Sequence, residues 1–201
     1  MYNLILMIVV AYLFGSLPNG VWVGKTIKNI DIREHGSKNS GATNAYRILG
    51  AKCGVLVLCL DILKGYLPLF IGANYFGITG NYLLCLGLVA ILGHSFSLFL
   101  NFRGGKGVAT SLGVFLFLFP KGIIIVFIIF LLIVKITKYS SLGSVIGAVL
   151  LPVLALFISG REGISTVSLF SISLLISILV IYKHIPNIKR IKAGTENKIK
   201  F

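Results

Sequence analysis

Three short segments of this 201-residue chain gather the side chains able to grip an anion. The first, HGSKNSGATNAYR, runs from His35 to Arg47. Gly36 and Gly41 permit backbone conformations closed to other residues, while Ser37, Asn39, Thr43 and Asn44 supply short polar side chains within a few positions. Such a turn entering a helix near Ala42 aims backbone N–H groups at an anion, and Arg47, a turn further on, can clamp a phosphate or carboxylate in bidentate fashion. The same segment also suits a solvated loop whose charges only fix topology.

The second segment is NFRGGKGVAT, residues 101–110, which leads directly into an apolar run. Gly104, Gly105 and Gly107 around Lys106 let a ligand approach the backbone; the helix N-terminus adds partial positive charge and Lys106 a full one. This suits phosphate, but it is not a nucleotide-binding P-loop, because the position five before Gly105 is Leu100 and no carboxylate stands nearby for magnesium. The other reading is a glycine turn with a snorkelling lysine. The third segment, YKHIPNIKRIKAGTE, covers residues 182–196. His184, Asn187 and Arg190 are spaced by three and share a face if helical, with Pro186 expected to make the entry irregular. A polybasic tail that merely binds anionic lipid is the plainer reading, and it leaves the His, Asn and Glu without a purpose. His94, Ser140, Ser141 and Ser144 are smaller candidates, the serines as phosphate donors or as helix caps.

The missing residue types exclude several chemistries. Asp31, Glu34, Asp61, Glu162 and Glu196 are the only carboxylates, and they form no cluster at helical spacing, which disfavours magnesium-dependent transfer of a phosphate. No metal and no other cofactor is expected. At the fifth position after His35, His94 and His184 stand Ser40, Phe99 and Lys189, so the His/Asp pair of a common acyltransferase class is absent. Cys53, Cys59 and Cys85 form no paired motif and read as small packing residues.

The elements that must position these segments are membrane spans. The chain is 57% hydrophobic with a mean hydropathy of +0.99, and a run such as IIIVFIIFLLIV shows no polar alternation. Crossings are expected near residues 3–24, 53–73, 81–100, 104–119, 120–137, 142–159 and 164–182, the fourth and fifth separated only by Pro120, Lys121 and Gly122. Of the 19 Lys and Arg, six lie in residues 25–52 and six in the tail (Lys183, Lys189, Arg190, Lys192, Lys198, Lys200). Seven crossings put both clusters on one side with Arg103, Lys106, Lys135 and Lys138, leaving Lys121 and Arg161 opposite; with six crossings the clusters fall on opposite faces and the bias largely disappears. The expectation is therefore an all-α integral membrane protein of one domain over residues 1–201, with seven transmembrane helices, its N-terminus outside and its C-terminus cytoplasmic. Loops 25–52, 101–107 and 135–141 and the tail 183–201 face the cytoplasm. Within the second run Lys64 follows Asp61 by three, so the two can pair, as a structural ion pair or as a proton or ion relay. No internal repeat is evident, which weighs against an organic-phosphate transporter.

Seven stretches in order resemble the PlsY family, bacterial membrane enzymes that transfer an acyl group from acyl phosphate to glycerol 3-phosphate. They are GSLPNG, DIREHGSKNSGATNAYRILG, LDILKGYLP, ILGHSFSLF, FRGGKGVATSLG, YSSL and HIPNIKRIKAGTE. The resemblance implies a seven-helix enzyme of the bacterial cell membrane that makes lysophosphatidic acid and inorganic phosphate, with its active site at the cytoplasmic face. By similarity, Ser37 and Arg47 are essential members of the first motif, and Gly104, Gly105, Lys106 and Gly107 form the glycerol phosphate site. His184 and Asn187 are the active-site pair of the third motif, with Glu196 in a structural role. Asn39, Thr43, Asn44, Ser141 and Ser144 are expected to contact substrate. The expected partners are the two substrates, anionic membrane lipids and an enzyme that produces acyl phosphate, but no nucleic acid. Lys38, Ser40 and Pro186 depart from the family pattern.

Overall fold

The computed structural model describes residues 2–199; Lys200, counted above in the basic tail, lies outside them. Among the described residues every regular element is helical. The chain forms two compact units, the first ending at Phe117 and the second beginning at Leu118.

The first unit holds α1 (Tyr2–Ser16), α2 (Asn19–Lys28), α3 (Ala42–Leu49), α4 (Ala51–Tyr75), α5 (Asn81–Ser95) and nearly all of α6 (Val108–Leu118). The expected first span is a bent pair: α1 and α2 meet at 41° around Pro18, whose ring cannot donate to the helical ladder. Helix α5 packs against α1 and α4. A Cβ on Gly15 would overlap the Ala90 carbonyl and one on Gly93 the Tyr12 carbonyl, so α1 and α5 touch main chain to main chain.

The broken span is tied to α4 by buried charge. Lys64 Nζ stands 2.9 Å from Asp61 Oδ1, with the side chains 4% and 2% exposed. The Asn19 amide donates to the same Asp61 oxygen at 2.9 Å, and Lys64 donates at 2.7 Å to the carbonyl of Leu17. Val21 N–H bonds to Pro18 instead of Leu17, so the lysine serves a carbonyl that the proline break removed from the ladder. The pair is an ion pair facing the helix bundle.

The second unit holds α7 (Pro120–Thr137), α8 (Ser140–Phe157) and α9 (Thr166–Lys192), with α8 packed against both α7 and α9. Phe119 separates α6 from α7, and Pro120 opens α7 at the position where a missing N–H costs nothing. Helix α9 starts at Ser165, whose hydroxyl accepts from Ser168 N at 3.1 Å. The expected irregularity at Pro186 does not occur: α9 runs through it for 27 residues, with the proline on the exposed face. There the ring displaces one outer-face hydrogen bond while the inner-face ladder continues.

Five helical segments are long and apolar enough to cross a membrane, α5 among them by way of the short turn Leu98–Leu100, and the bent α1–α2 pair makes a sixth. Helix α6, with 11 residues, is shorter. Large apolar side chains cover the outer faces, up to Ile136 at 79% and Phe157 at 80% exposed, which only a lipid environment satisfies. Cys59 and Cys85 lie on such exposed faces instead of in the packing expected of them, and Cys53 is half-buried.

Candidate active site

In the first unit Asn44 organises the leading motif. Its Nδ2 donates to the carbonyls of Ile32, His35 and Asn39 at 2.7, 3.1 and 2.9 Å, and its Oδ1 accepts from the Ser37 N–H at 2.9 Å. Asn39 Oδ1 accepts from Gly41 N–H at 2.9 Å, closing the turn that feeds α3. The amides of Asn44 and Asn39, expected to contact substrate, thus grip the loop itself. Just upstream Arg33 pairs with Asp31 at 2.6 Å, and its hydrogen bonds hold that carboxyl below its usual range against the opposing effect of burial.

Helix α3 is amphipathic for a plain reason. Ala45 and Leu49 lie one turn apart and bury against Ile32 and Val57. Thr43 and Arg47 are also one turn apart, on another face, and both are half-buried, as is Ser37. The motif therefore holds Ser37, Thr43 and Arg47 half-buried while its apolar face fixes the helix.

The glycine segment docks on the end of α5. Gly105 N–H donates at 3.0 Å to the carbonyl of His94, one of the last-turn carbonyls that a helix leaves over. A Cβ on Gly104 would overlap that carbonyl, and one on Gly105 would overlap the His94 ring. Gly107 follows at φ +80, a conformation that favours glycine. Lys106, half-buried, stands between these turns and the first residue of α6.

In the second unit the carboxylate of Glu196 collects three donors. Ser141 Oγ and Asn187 Nδ2 donate to Oε1 at 2.8 and 2.6 Å, and Arg190 Nε donates to Oε2 at 2.7 Å. Burial raises its pKa, but the bonds from Asn187, Ser141 and Arg190 together outweigh that and leave it below its usual value. His184 is buried one turn before Asn187, and its Nδ1 lies 2.8 Å from the carbonyl of Val180. A carbonyl can only accept, so Nδ1 carries a hydrogen. Ser144 Oγ donates to the Ser140 carbonyl at 2.9 Å, within α8. Among the described residues no three His, Cys, Asp or Glu side chains gather as a metal site.

Helical throughout its described residues and covered on its outer faces by large apolar side chains, the chain is an integral membrane protein. Its relatives are specific. A family model described as glycerol-3-phosphate acyltransferase matches residues 5–194. A glycerol-3-phosphate acyltransferase of Fusobacterium nucleatum is 54% identical over 96% of this chain and 97% of its own. Glycerol-3-phosphate acyltransferase 2 of Bacillus anthracis is 46% identical over 97% and 98%. The crystal structure of PlsY, an integral membrane glycerol 3-phosphate acyltransferase, in its glycerol 3-phosphate form superposes with a TM-score of 0.88 at 37% identity, covering 98% of this chain and 96% of that one. Its lysophosphatidic acid form gives 0.85 at 36% identity, covering 98% and 95%. The chain belongs to the glycerol-3-phosphate acyltransferase family, and it is a multi-pass membrane protein.

His94, only a smaller candidate from the sequence, underlies the glycine segment. The signal was available in part: a histidine and a glycine pair ten residues apart. Nothing local showed that the chain folds back between them.

Proposed function

We propose that the protein transfers a fatty acyl group from acyl phosphate to the primary hydroxyl of glycerol 3-phosphate, giving lysophosphatidic acid and inorganic phosphate. This is the first acylation of bacterial phospholipid synthesis, and it needs no metal. What supports the reading above all is the full-length likeness to an acyltransferase crystallised in both a glycerol 3-phosphate and a lysophosphatidic acid form.

The residue inventory agrees with it. An acyl phosphate is already activated, so no covalent acyl-enzyme and no nucleophilic triad is required. The hydroxyl oxygen attacks the acyl carbon, the bond from that carbon to the phosphate oxygen breaks, and phosphate leaves with the electron pair. Arg47 and Lys106 screen two phosphates from each other and stabilise the departing one, with Ser37, Thr43 and the backbone of Gly104 and Gly107 as further donors, while Gly105, whose N–H is taken by the His94 carbonyl, shapes the turn between them. Ser141, Ser144, His184 and Asn187 complete the substrate-binding set. Two groups can take the hydroxyl proton, His184 Nε2 or a phosphate oxygen of the substrate. An unchanged rate and pH profile in His184→Gln assigns it to the phosphate.

The charge bias supports seven crossings in a bacterial cell membrane, with α6 the short fourth, the N-terminus outside and the basic tail against anionic cytoplasmic lipid. A separate enzyme must supply the acyl phosphate.

The test is purified protein given acyl phosphate and labelled glycerol 3-phosphate in the presence of EDTA. Lysophosphatidic acid is the expected product. No product from monodisperse protein rejects the acyltransferase reading, whereas dependence on added magnesium, or preference for an acyl carrier protein thioester, rejects the donor and mechanism.

A further inference from the structure

His94 is buried at the end of α5, 7% exposed, and the proposed mechanism gives it no part. Two of its faces touch the glycine segment. Its carbonyl accepts from Gly105 N–H at 3.0 Å and blocks any side chain at Gly104, while its ring blocks any side chain at Gly105. The next residue is Lys106.

The ground beneath His94 is itself anchored. Ser97 Oγ donates to the Ser16 carbonyl at 2.5 Å, Leu98 N–H reaches Ser16 Oγ at 3.5 Å, and Tyr12 Oη donates to the Phe96 carbonyl at 2.8 Å. Phe102 N–H then returns to the Ser97 carbonyl at 2.8 Å. The end of α5 is thus clamped to α1, and the loop after it is folded back onto that clamp. The imidazole is pressed against the main chain just before Lys106.

We propose that His94 is a positioning residue for the glycine segment: its ring is the template that sets the Gly104–Lys106 main chain, and through it the grip on the phosphate of glycerol 3-phosphate. Two of the three glycines are then small because they lie on His94, not only because a ligand approaches them. This rests on reading residues 104–107 as the glycerol 3-phosphate site.

The test is a set of variants assayed for the KM of glycerol 3-phosphate, the KM of acyl phosphate and kcat, together with equilibrium binding of glycerol 3-phosphate, which needs no donor. His94→Ala removes the template but keeps the carbonyl, and should raise KM and Kd for glycerol 3-phosphate by about 10-fold, with a smaller fall in kcat, while the KM of acyl phosphate stays within about twofold. Gly105→Ala should raise KM similarly in the parent and add nothing further in the His94→Ala background, where its methyl group occupies the vacated space. Gly104→Ala meets a main-chain carbonyl, so His94→Ala should not relieve it.

An unchanged glycerol 3-phosphate KM in His94→Ala overturns the proposal, as does strict additivity of His94→Ala with Gly105→Ala. Should His94→Ala fail to yield monodisperse protein, His94→Gln keeps most of the bulk and is held to the same criterion at about threefold. Lys106→Ala separates the two levels. A raised KM there with none in His94→Ala sinks only the positioning role, whereas no change in Lys106→Ala sinks the assignment of the segment itself.

Discussion

The side-chain amide of Asn187 donates to the Glu196 carboxylate at 2.6 Å, so a residue expected to face substrate is held by one nine positions further on. Gly194, at φ +70, turns the chain back after α9, and Thr195 N–H bonds to the Arg190 carbonyl at 2.9 Å. Ile199 N–H then donates to the Lys138 carbonyl at 2.8 Å. The tail is a strap closed over α8 and α9, and Glu196 is its buckle.

Removing the buckle takes an acceptor away from three donors. In Glu196→Ala the Ser141 hydroxyl and Asn187 amide, both on buried residues, lose this acceptor. The expected cost is about 2 kcal/mol or more, read as a lowered midpoint in thermal unfolding of the detergent-solubilised protein. Asn187 is also released, so activity should fall further than stability alone explains. Glu196→Gln, which keeps an acceptor for Ser141, should lie between Ala and the parent.

The same carboxylate gives stability a pH dependence of known sign. Its folded pKa is depressed, so the unfolded chain takes up the proton first. The contribution is complete above the ordinary carboxylate range and is lost as pH falls through the lower folded value. Melting midpoints of the parent should therefore drop on acidification below about pH 4, and Glu196→Gln should lack that part of the slope. Asp31 shifts in the same direction but is present in both proteins, so the difference isolates Glu196.

Asp61 and Lys64 should be more dispensable together than singly. Lys64→Met leaves a carboxylate buried without its cation, at an expected cost of about 3 kcal/mol, while Asp61→Leu with Lys64→Met should recover most of the loss. Turnover decides the role. A folded double variant that still acylates glycerol 3-phosphate fits the ion pair that ties Leu17 and Asn19 to α4, and a folded but inactive one would mean a relay.

Much of this was legible in the sequence, and for local reasons. Apolar run length marked the membrane helices, Pro120 marked a real break, and the spacing of Asp61 and Lys64 marked a pair, whereas the break at Pro18 fell inside a span expected to run unbroken over residues 3–24. What escaped depends on chain reversal. Asn44 binds carbonyls five to twelve residues upstream, Glu196 reaches Ser141 across 55 residues, and the His94 ring meets Gly105 only because the intervening loop folds back. Pro186 misled in the other direction, since a proline on an exposed helix face interrupts one bond without ending the helix.

Topology can be read by labelling. After Cys53, Cys59 and Cys85 are replaced by Ser, Lys121→Cys and Arg161→Cys should react with a membrane-impermeant maleimide added to intact cells. Arg103→Cys should react only after the membrane is opened. Labelling of Lys121→Cys and Arg103→Cys from the same side would remove α6 as a crossing and leave six spans.

Asn44 offers the sharpest test of what the first motif is for. Its Nδ2 faces three carbonyl oxygens within 3.1 Å, and its Oδ1 holds the Ser37 N–H. Asn44→Asp keeps the shape but turns a charged oxygen toward those carbonyls, whereas Asn44→Ala only deletes the bonds. If the amide works by holding the loop, Asp should be the worse substitution, with kcat/KM down by about 100-fold or more and Ala between it and the parent. Hydrogen exchange at the Ser37 amide should accelerate in both variants, because its acceptor is displaced or lost. Parental activity in Asn44→Ala, with the Ser37 amide exchanging fast, would show that the site does not need the loop held by this amide.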